Sequence, residues 1–425
     1  MEAGILKKSH GESIRLSGAE TFVGGAIKQY ILFQIIGMAV SYFWTMPIDR
    51  TSVLHIWDMM GLLILFLRLS KCRFKSVYPW FIAMLYLFTQ LLPVLFFNDH
   101  IFYSLKTLGL NLNIFFVALN IILCFSLLKD RAISPESISE ILKLIYYIGI
   151  IASVFGLFTE FEQVISTFST NLGAYATFVE SFFAGKNMFG AYLFFSIAAG
   201  VCLYLTERKK SYIGGTLLQF ILLISSFSRA ALLALAIFGA TLLLMEKRNT
   251  AWLRGAVIAA ASGLLLLYIS SGSFQYILND KILRLQYGDT GRVGSWGITY
   301  ESFARYNSFV RNIFGLGYAE FEVLGGSYVH NVYLEAFFVG GAIKLIFLVF
   351  ALIYCLRLNI RLLATRLNYR YLGFCMFLSY IAYGFFESKV LFHSGIIQFL
   401  FLLYILVIPQ ALLNFRKQNL PAAKG

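Results

Sequence analysis

The sequence is poor in charged residues and in cysteine, and each shortage excludes whole classes of protein. Only 13% of the 425 residues are charged, about half the share found in an average soluble domain. This scarcity excludes a disordered chain, a nucleic-acid-binding module and an ordinary soluble enzyme. The 5 cysteines are scattered and have neither the spacing of a disulfide scaffold nor that of a metal-binding CxxC motif.

Motifs for metal chemistry are also missing, so neither a metal site nor a cofactor is expected. The chain has no HExxH motif, no Cys/His cluster and no DxD sequence. Two Glu-x-Glu pairs remain, Glu160 with Glu162 and Glu320 with Glu322. Residues two apart share a face only on a β-strand, so a helical chain would not bring the members of either pair together.

Long apolar runs are the dominant feature of the sequence. The AVILMFWYC set makes up 59% of the chain, and a membrane-spanning helix needs about 20 mostly apolar residues. The pattern predicts an all-α, polytopic membrane protein of one domain, residues 1–425, with about twelve spans and no cleavable signal peptide. The predicted spans are 27–46, 53–68, 77–97, 107–128, 143–160, 187–206, 211–226, 229–245, 251–270, 332–356, 371–387 and 393–413.

The distribution of lysine and arginine predicts the orientation of these spans. The net charge is +14, from 35 Lys and Arg against 21 Asp and Glu. With both termini in the cytoplasm, the cytoplasmic segments hold 24 of the basic residues, whereas the short outer connections hold 5. Basic residues concentrate on the cytoplasmic side of membrane proteins. We therefore expect cytoplasmic N- and C-termini and an even number of spans.

Two predicted outer segments, 161–186 and 271–330, are longer than ordinary connections. A loop as long as 271–330 is uncommon and is usually functional. It is rich in Phe, Tyr and Trp, and its apolar residues between 294 and 314 recur at helical spacing. This spacing predicts an amphipathic helix at the outer membrane surface. Its aromatic rings would either stack on sugars or form the aromatic belt of a membrane interface.

Arginine residues on the predicted outer face are candidates for binding an anion. One helix over 211–245 would be about 52 Å long, so the chain must turn before Arg229. A guanidinium there could grip phosphate oxygens in a bidentate fork or anchor the helix to lipid headgroups. Arg292 lies between two glycines, in a segment that can turn tightly. Arg305 follows Glu301 by four residues, as in an ordinary helical ion pair.

Polar residues also mark the start of the span predicted at 332–356. Asn331 is a suitable N-cap, and the helix N-terminus that it begins favours anions. His330 could accept a proton from a sugar hydroxyl as a neutral imidazole, or it could be a polar loop residue. Glu335 and Lys344 lie inside the span, where charged residues are costly and are functional candidates for that reason.

Three motifs, taken in their order and spacing, resemble the O-antigen ligase and O-antigen polymerase superfamily. They are SFSRAALLALAIFG, then GRVGSW before an aromatic segment ending in IFGLGYAEF, then HNVYLEAFFVGG. The resemblance covers roughly residues 186–345. It implies a GT-C-like, metal-independent glycosyltransferase that uses an undecaprenyl diphosphate-linked glycan on the periplasmic face of the bacterial inner membrane.

The resemblance also implies roles for individual residues. Arg229 matches the arginine of the family's S/T-R motif and Arg292 that of its G-R motif, and both would bind the diphosphate. His330 matches the family histidine and is the expected base for the acceptor hydroxyl. Glu335 would orient His330 or bind sugar, and the segment GKNMFGAYL matches a less specific family segment. The substrate-binding residues expected beside the two arginines are Asn331, Glu335, Lys186 and Arg305.

The function that we expect is a polymerase that joins lipid-linked repeat units of O-antigen or capsule, because the outer loop, although longer than an ordinary connection, is short for a loop of a ligase, and no large soluble segment is present. A ligase that transfers the finished glycan to lipid A-core is the first alternative, and a lipid-linked glycan flippase or transporter is the second. The expected partners are the undecaprenyl diphosphate-linked oligosaccharide, membrane lipid and a chain-length regulator protein, with no nucleic acid. The sugars, the linkage, the anomeric outcome and the oligomeric state stay open.

Overall fold

The computed structural model describes the chain in blocks, and within these blocks every regular element is a helix. The described residues are 18–43, 50–70, 128, 131–168, 178–246, 266, 268–276, 278–279, 292–305, 308–316, 329–365, 367–387 and 395–419. The predicted all-α class is confirmed for this part of the chain.

The helices are numbered here in chain order. Those before residue 250 are α1 (Gly18–Tyr42), α2 (Arg50–Ser70), α3 (Pro135–Thr159), α4 (Phe161–Phe168), α5 (Lys186–Glu207), α6 (Ser211–Ser225) and α7 (Arg229–Met245). Those after residue 250 are α8 (Gly272–Tyr276), α9 (Arg292–Arg305), α10 (Phe309–Phe314), α11 (Val332–Leu363), α12 (Leu372–Gly384) and α13 (Ile396–Asn419). One turn of α13, Leu403–Val407, is π-helical.

Several helices are long and apolar enough to cross a membrane, as the composition predicts. Within the described blocks these are Phe22–Tyr42, Pro135–Thr159, Lys186–Glu207, Val332–Leu363 and Ile396–Asn419. Helices α6, α7 and α12 are apolar but shorter. These helices support a helical membrane protein. The spans predicted at 77–97, 107–128 and 251–270 lie largely outside the described residues.

The spans predicted at 143–160 and 332–356 extend several residues beyond the bounds that the sequence pattern indicates. The span predicted at 143–160 begins at Pro135, because the Ser134 side chain accepts a hydrogen bond from the Ser137 N–H and caps the helix. Proline also suits the first helical turn, where its missing N–H has no helical partner to lose. The span predicted at 332–356 continues to Leu363.

The prediction of one continuous amphipathic helix over 294–314 is wrong, because the structure has two helices there. The observed segment is divided into α9, which ends at Arg305, and α10, which begins at Phe309. Ser308 accounts for the division, because its side chain accepts a hydrogen bond from the Arg311 N–H and so starts a new helix. Apolar periodicity alone does not detect such a cap.

The turn predicted before Arg229 is confirmed. Helix α6 ends at Ser225 and α7 begins at Arg229. Phe227 has a φ of 52°, in the left-handed region that residues other than glycine seldom adopt. The chain therefore reverses within three residues, and Arg229 stands at the start of a helix.

Helix α5 lies at the centre of the bundle, where it packs against α3, α6 and α7. The Phe195 ring of α5 lies 4.5 Å from the Phe401 ring of α13, measured between centroids. The Tyr404 hydroxyl donates a hydrogen bond of 3.2 Å to the Phe195 carbonyl. Tyr380 of α12 also contacts Phe401, at 5.0 Å. These contacts join the middle of α5 to α12 and α13.

The bundle has two ends, named here after residues in the first and last turns of α5. The 22 residues of α5 rise about 33 Å, close to the hydrocarbon thickness of a bilayer. At the Glu207 end, the Glu207 carboxylate pairs with Lys143 and Lys209, each at 3.0 Å. At the Asn187 end lie the start of α7, the start of α11 and the end of α12.

Helix α11 is broken near its start, and α10 packs against the break. Gly341 has φ 64° and ψ −167°, which interrupts the helix. A Cβ at Gly341 would overlap the backbone of Ile313, so glycine is required for this approach. The Leu316 N–H donates a hydrogen bond of 2.9 Å to the Phe338 carbonyl. The long loop is therefore joined to the helix that begins after His330.

Candidate functional site

A histidine and a buried carboxylate face each other at the Asn187 end. His330 Nδ1 lies 3.6 Å from Glu387 Oε2. The Glu387 side chain is 7% exposed, whereas the His330 side chain is 37% exposed and so remains open to a substrate. The separation exceeds the roughly 2.7–3.2 Å of an N–H···O hydrogen bond. Catalytic hydrogen bonds often shorten only when the substrate binds, so the two groups are close enough to act together.

Asn187 contacts the same carboxylate through its side-chain amide. Asn187 Nδ2 donates a hydrogen bond of 2.9 Å to Glu387 Oε1. The Glu387 N–H donates to the Tyr383 carbonyl at 3.1 Å, which ties the residue to the last turn of α12. Burying a carboxylate costs free energy unless hydrogen bonds or opposite charges compensate it. The amide of α5 and the imidazole before α11 therefore hold Glu387 between them.

The backbone around His330 is fixed by the start of α11. The Asn331 side chain accepts hydrogen bonds from the Tyr333 and Leu334 N–H groups, both at 3.0 Å. The predicted N-cap role of Asn331 is thus confirmed. His330 has a φ of 47°, a left-handed conformation that is costly for a non-glycine residue and that clusters at functional sites.

Two cationic residues begin helices at this same end. Lys186 begins α5, and its Nζ lies 3.3 Å from the centre of the Phe178 ring, a cation–π contact. The Phe178 ring also contacts the Phe227 ring, with centroids 6.0 Å apart. Phe227 lies two residues before Arg229. The two rings therefore link Lys186 to the turn that precedes Arg229.

Close packing of α5 against α7 brings Arg229 to the neighbourhood of Asn187. A Cβ at Gly190 would overlap the Ser228 side chain, so the two helices approach closely near their starts. Ser228 immediately precedes Arg229, and Gly190 follows Asn187 by three residues. The starts of α5 and α7 and the end of α12 thus meet around one turn of α5.

Glu335 and Lys344 are further charged residues of α11, and they carry opposite charges. Both side chains are buried; Glu335 lies in the first turn, and Lys344 lies nine residues further along the helix. The Lys344 side chain packs beside Gly340, four residues towards the start of the helix. Opposite charges compensate part of the cost of burial. The proposed contact of Glu335 with sugar or with His330 stays a prediction.

Arg292 and Arg305 lie at opposite ends of α9. Arg292 begins the helix, and Arg305 ends it on an exposed turn. The second turn of α9 is held close to the site, because the Trp296 indole N–H donates a hydrogen bond to the Val329 carbonyl. Val329 immediately precedes His330. The start of α9 is thus adjacent to the site, while Arg305 lies more than three turns away from Arg292 along the helix.

Glu160 has a structural role at the end of α3. Its Oε2 accepts hydrogen bonds from the Glu180 N–H at 2.9 Å and the Ser181 N–H at 3.1 Å. These bonds hold the turn that leads into α5. Burial raises the pKa of the Glu160 carboxyl, and the two backbone N–H groups oppose that rise. Among the described residues no group of three His, Cys, Asp or Glu side chains could hold a metal ion.

Sequence reasoning missed Glu387 and the anchoring bond of Trp296. Glu387 falls at the last position of the span predicted at 371–387, so it reads as the polar end of an apolar run. The sequence did contain a signal for Glu387, because a carboxylate at the edge of a membrane span is energetically costly and is a functional candidate for that reason. Its partners could not be found, since Asn187 is 200 residues away in the sequence.

Comparison with known proteins adds no family to this description. No protein-family model matches the chain, and no curated protein sequence matches it at a significant level. What the site can do therefore follows from its own chemistry. Cationic side chains at helix starts favour an anion, and an exposed imidazole beside a buried carboxylate can accept a proton.

Proposed function

We propose that the protein is a metal-independent membrane glycosyltransferase that polymerises lipid-linked glycan repeat units. It would be a GT-C-like enzyme of about twelve spans in the bacterial inner membrane, with both termini in the cytoplasm. The basic residues Arg208, Lys209 and Lys210 at the Glu207 end favour the cytoplasm for that end. The Asn187 end would then face the periplasm, where an undecaprenyl diphosphate-linked glycan is the donor.

One observation carries this proposal. An exposed imidazole lies 3.6 Å from a buried carboxylate, at the end of the bundle where Lys186 and Arg229 begin helices. A base and an anion-binding surface are the two elements that glycosyl transfer from a diphosphate requires in the absence of a metal. A flippase would instead favour charged groups spread along a pathway through the spans.

The cationic residues would bind the diphosphate of the donor. When the glycosidic bond breaks, its electron pair goes to a diphosphate oxygen, which gains negative charge. The guanidinium of Arg229 can meet two phosphate oxygens at once, and Lys186 and Arg292 add positive charge at the starts of α5 and α9. Preorganised charge of this kind typically contributes several kcal/mol to transition-state stabilisation.

His330 would activate the acceptor. The acceptor hydroxyl oxygen forms the new bond to the anomeric carbon as the bond to the diphosphate breaks, and the hydroxyl proton passes to His330 Nε2. This assignment leaves Nδ1 for Glu387, the atom that faces the carboxylate at 3.6 Å. General base catalysis commonly contributes about 10²–10⁴-fold to the rate.

Glu387 would act through His330 as a positioning residue. Its carboxylate would hold the Nδ1 proton, which fixes the tautomer and directs Nε2 towards the acceptor. The same negative charge would stabilise the imidazolium that forms during transfer. Asn187, by its 2.9 Å hydrogen bond, keeps the second carboxylate oxygen in place.

A strain that lacks the gene, analysed on a polysaccharide gel, tests the reaction. Loss of a polymerase leaves the lipid A-core carrying a single repeat unit. Loss of a ligase instead leaves bare core and accumulated lipid-linked polymer, and loss of a flippase traps repeat units on the cytoplasmic side. Either of the last two patterns would contradict the proposal.

Plasmid-borne variants then test the site in the same strain. We expect wild-type chain to restore polymer, and we expect His330→Ala to insert in the membrane without restoring it. The matched control is Lys209→Ala at the Glu207 end, an exposed residue whose loss should leave polymer length unchanged. Polymer of normal length in the His330→Ala strain would remove the imidazole from the reaction.

A further inference from the structure

We infer that Trp296 is a positioning residue that holds His330 in its active conformation from the long loop, an inference that rests on the proposed function. The Trp296 indole N–H donates a hydrogen bond to the Val329 carbonyl. Val329 is fully buried and immediately precedes His330. The bond therefore acts on the peptide that leads directly into the catalytic residue.

The backbone at His330 needs such a constraint. Its φ of 47° lies in the left-handed region, which non-glycine residues occupy only when their surroundings over-determine it. On the far side of His330, the Asn331 cap fixes the chain through two hydrogen bonds of 3.0 Å. On the near side, the Trp296 bond fixes the carbonyl of Val329. The residue is thus held from both directions.

The loop is also tied to α11 beyond His330. The Leu316 N–H donates to the Phe338 carbonyl at 2.9 Å. Gly315 has a φ of 80°, and a Cβ there would overlap the backbone of Val339 and Gly340. The segment from α9 to Leu316 therefore contacts the chain on both sides of His330.

Apolar packing joins these two points of attachment. One buried cluster contains Leu316, Val329, Phe338 and Val339, and Trp296 packs against it. This cluster is separate from the main core of the bundle. Because it includes residues both before and after His330, a shift of α9 moves the backbone that carries the imidazole. An error of about 1 Å in the placement of a catalytic group can lower a rate by roughly a hundredfold.

The test compares two tryptophans that make the same kind of bond. Trp57 Nε1 donates a hydrogen bond of 2.7 Å to the Phe33 carbonyl, between α1 and α2 and in another part of the bundle. Trp296→Phe and Trp57→Phe each remove one indole N–H and keep an aromatic ring. With purified full-length protein and a lipid-linked repeat unit, we expect Trp296→Phe to lower kcat about tenfold and to leave KM within about twofold. We expect Trp57→Phe to change neither.

A second measurement does not depend on activity. Diethyl pyrocarbonate modifies accessible imidazoles, and mass spectrometry reports the modification rate of His330 separately from that of the other histidines. We expect the rate at His330 to change several-fold in Trp296→Phe and to stay at the wild-type value in Trp57→Phe. Equal kcat values and equal modification rates in the two variants would overturn the inference.

Glycine variants provide an independent test of the same attachment. Gly315→Ala places a Cβ against the backbone of α11, whereas Gly239→Ala on α7 places one in open space. We expect only the first to lower kcat and to change His330 modification, and wild-type values in Gly315→Ala would contradict the inference. The His330→Ala variant separates the two proposals. If His330→Ala stays active, the proposed base is wrong. If it is inactive, the base is supported, and the positioning role is decided by comparing each test variant with its control, at the two tryptophans and at the two glycines.

Discussion

The two ends of the bundle each hold a carboxylate, and the two carboxylates differ in what surrounds them. Glu207 is 21% exposed and pairs with the ammonium groups of Lys143 and Lys209, each at 3.0 Å. Glu387 is 7% exposed and contacts the Asn187 amide and the His330 imidazole. Lysine ammonium groups stay charged at neutral pH, whereas an imidazole gains and loses a proton there.

This difference indicates which carboxylate can take part in chemistry. Ser139 and Tyr212 also donate hydrogen bonds to Glu207, at 3.2 and 3.0 Å. That arrangement stabilises the junction of α3, α5 and α6 and presents no group that exchanges a proton at neutral pH. At the Asn187 end, the carboxylate instead contacts a partly exposed imidazole that can accept a proton from a substrate.

The largest expected effect is that of His330→Ala. Removing the base should lower kcat about 10²–10⁴-fold while leaving the amount of protein in the membrane unchanged. The assay is transfer between lipid-linked repeat units by purified protein, with products resolved on a gel. Activity within tenfold of the wild-type value would contradict the proposal that the Asn187 end holds the catalytic base.

Loss of a cation at the Asn187 end should have the next largest effect. We expect Arg229→Ala and Arg292→Ala each to lower kcat about 10²–10³-fold, because the departing diphosphate loses a preorganised positive charge. Arg229→Lys should recover only part of the activity, since an ammonium group cannot make the bidentate contact. Inorganic pyrophosphate should protect wild-type protein from thermal unfolding more than it protects Arg229→Ala.

A paired substitution compares the two carboxylates directly. Glu387→Gln and Glu207→Gln remove one negative charge each and keep the shape of the side chain. We expect Glu387→Gln to lower kcat about tenfold or more with little change in KM, because the imidazole loses the group that fixes its tautomer. The pH dependence of kcat should also change.

Glu207→Gln should leave kcat and its pH dependence at the wild-type values. Its effect should be confined to a lower unfolding temperature in detergent, since it weakens a junction between helices. If both variants lost activity equally, the two ends would not differ in function.

The smallest expected effect is that of Lys209→Ala. The Lys209 side chain is 62% exposed, and its ion pair with Glu207 is screened by solvent. Exposed ion pairs commonly contribute about 0.2–1 kcal/mol. We expect a slight decrease in unfolding temperature and no loss of transfer, measured by thermal denaturation and by the transfer assay. A loss of transfer here would show that the Glu207 end also serves the reaction.

Local rules were enough to predict several parts of the site. The turn before Arg229 followed from length, because a helix through it would exceed the thickness of a bilayer. The cap at Asn331 followed from residue type, since its side chain satisfies N–H groups two and three positions ahead. Both predictions depend on interactions within a few residues or on a single span.

The sequence by itself determined the helical class and the apolar runs, because hydrophobic periodicity and helix capping act over a few residues. It also predicted, from the distribution of Lys and Arg between the connections, that Arg229 and His330 lie on one face. Only the tertiary structure decided that Glu387 meets His330, that Asn187 holds Glu387, and that Trp296 reaches Val329. These contacts join residues that are 57, 200 and 33 positions apart. Such contacts depend on how the helices pack, and no pattern along the chain specifies that packing.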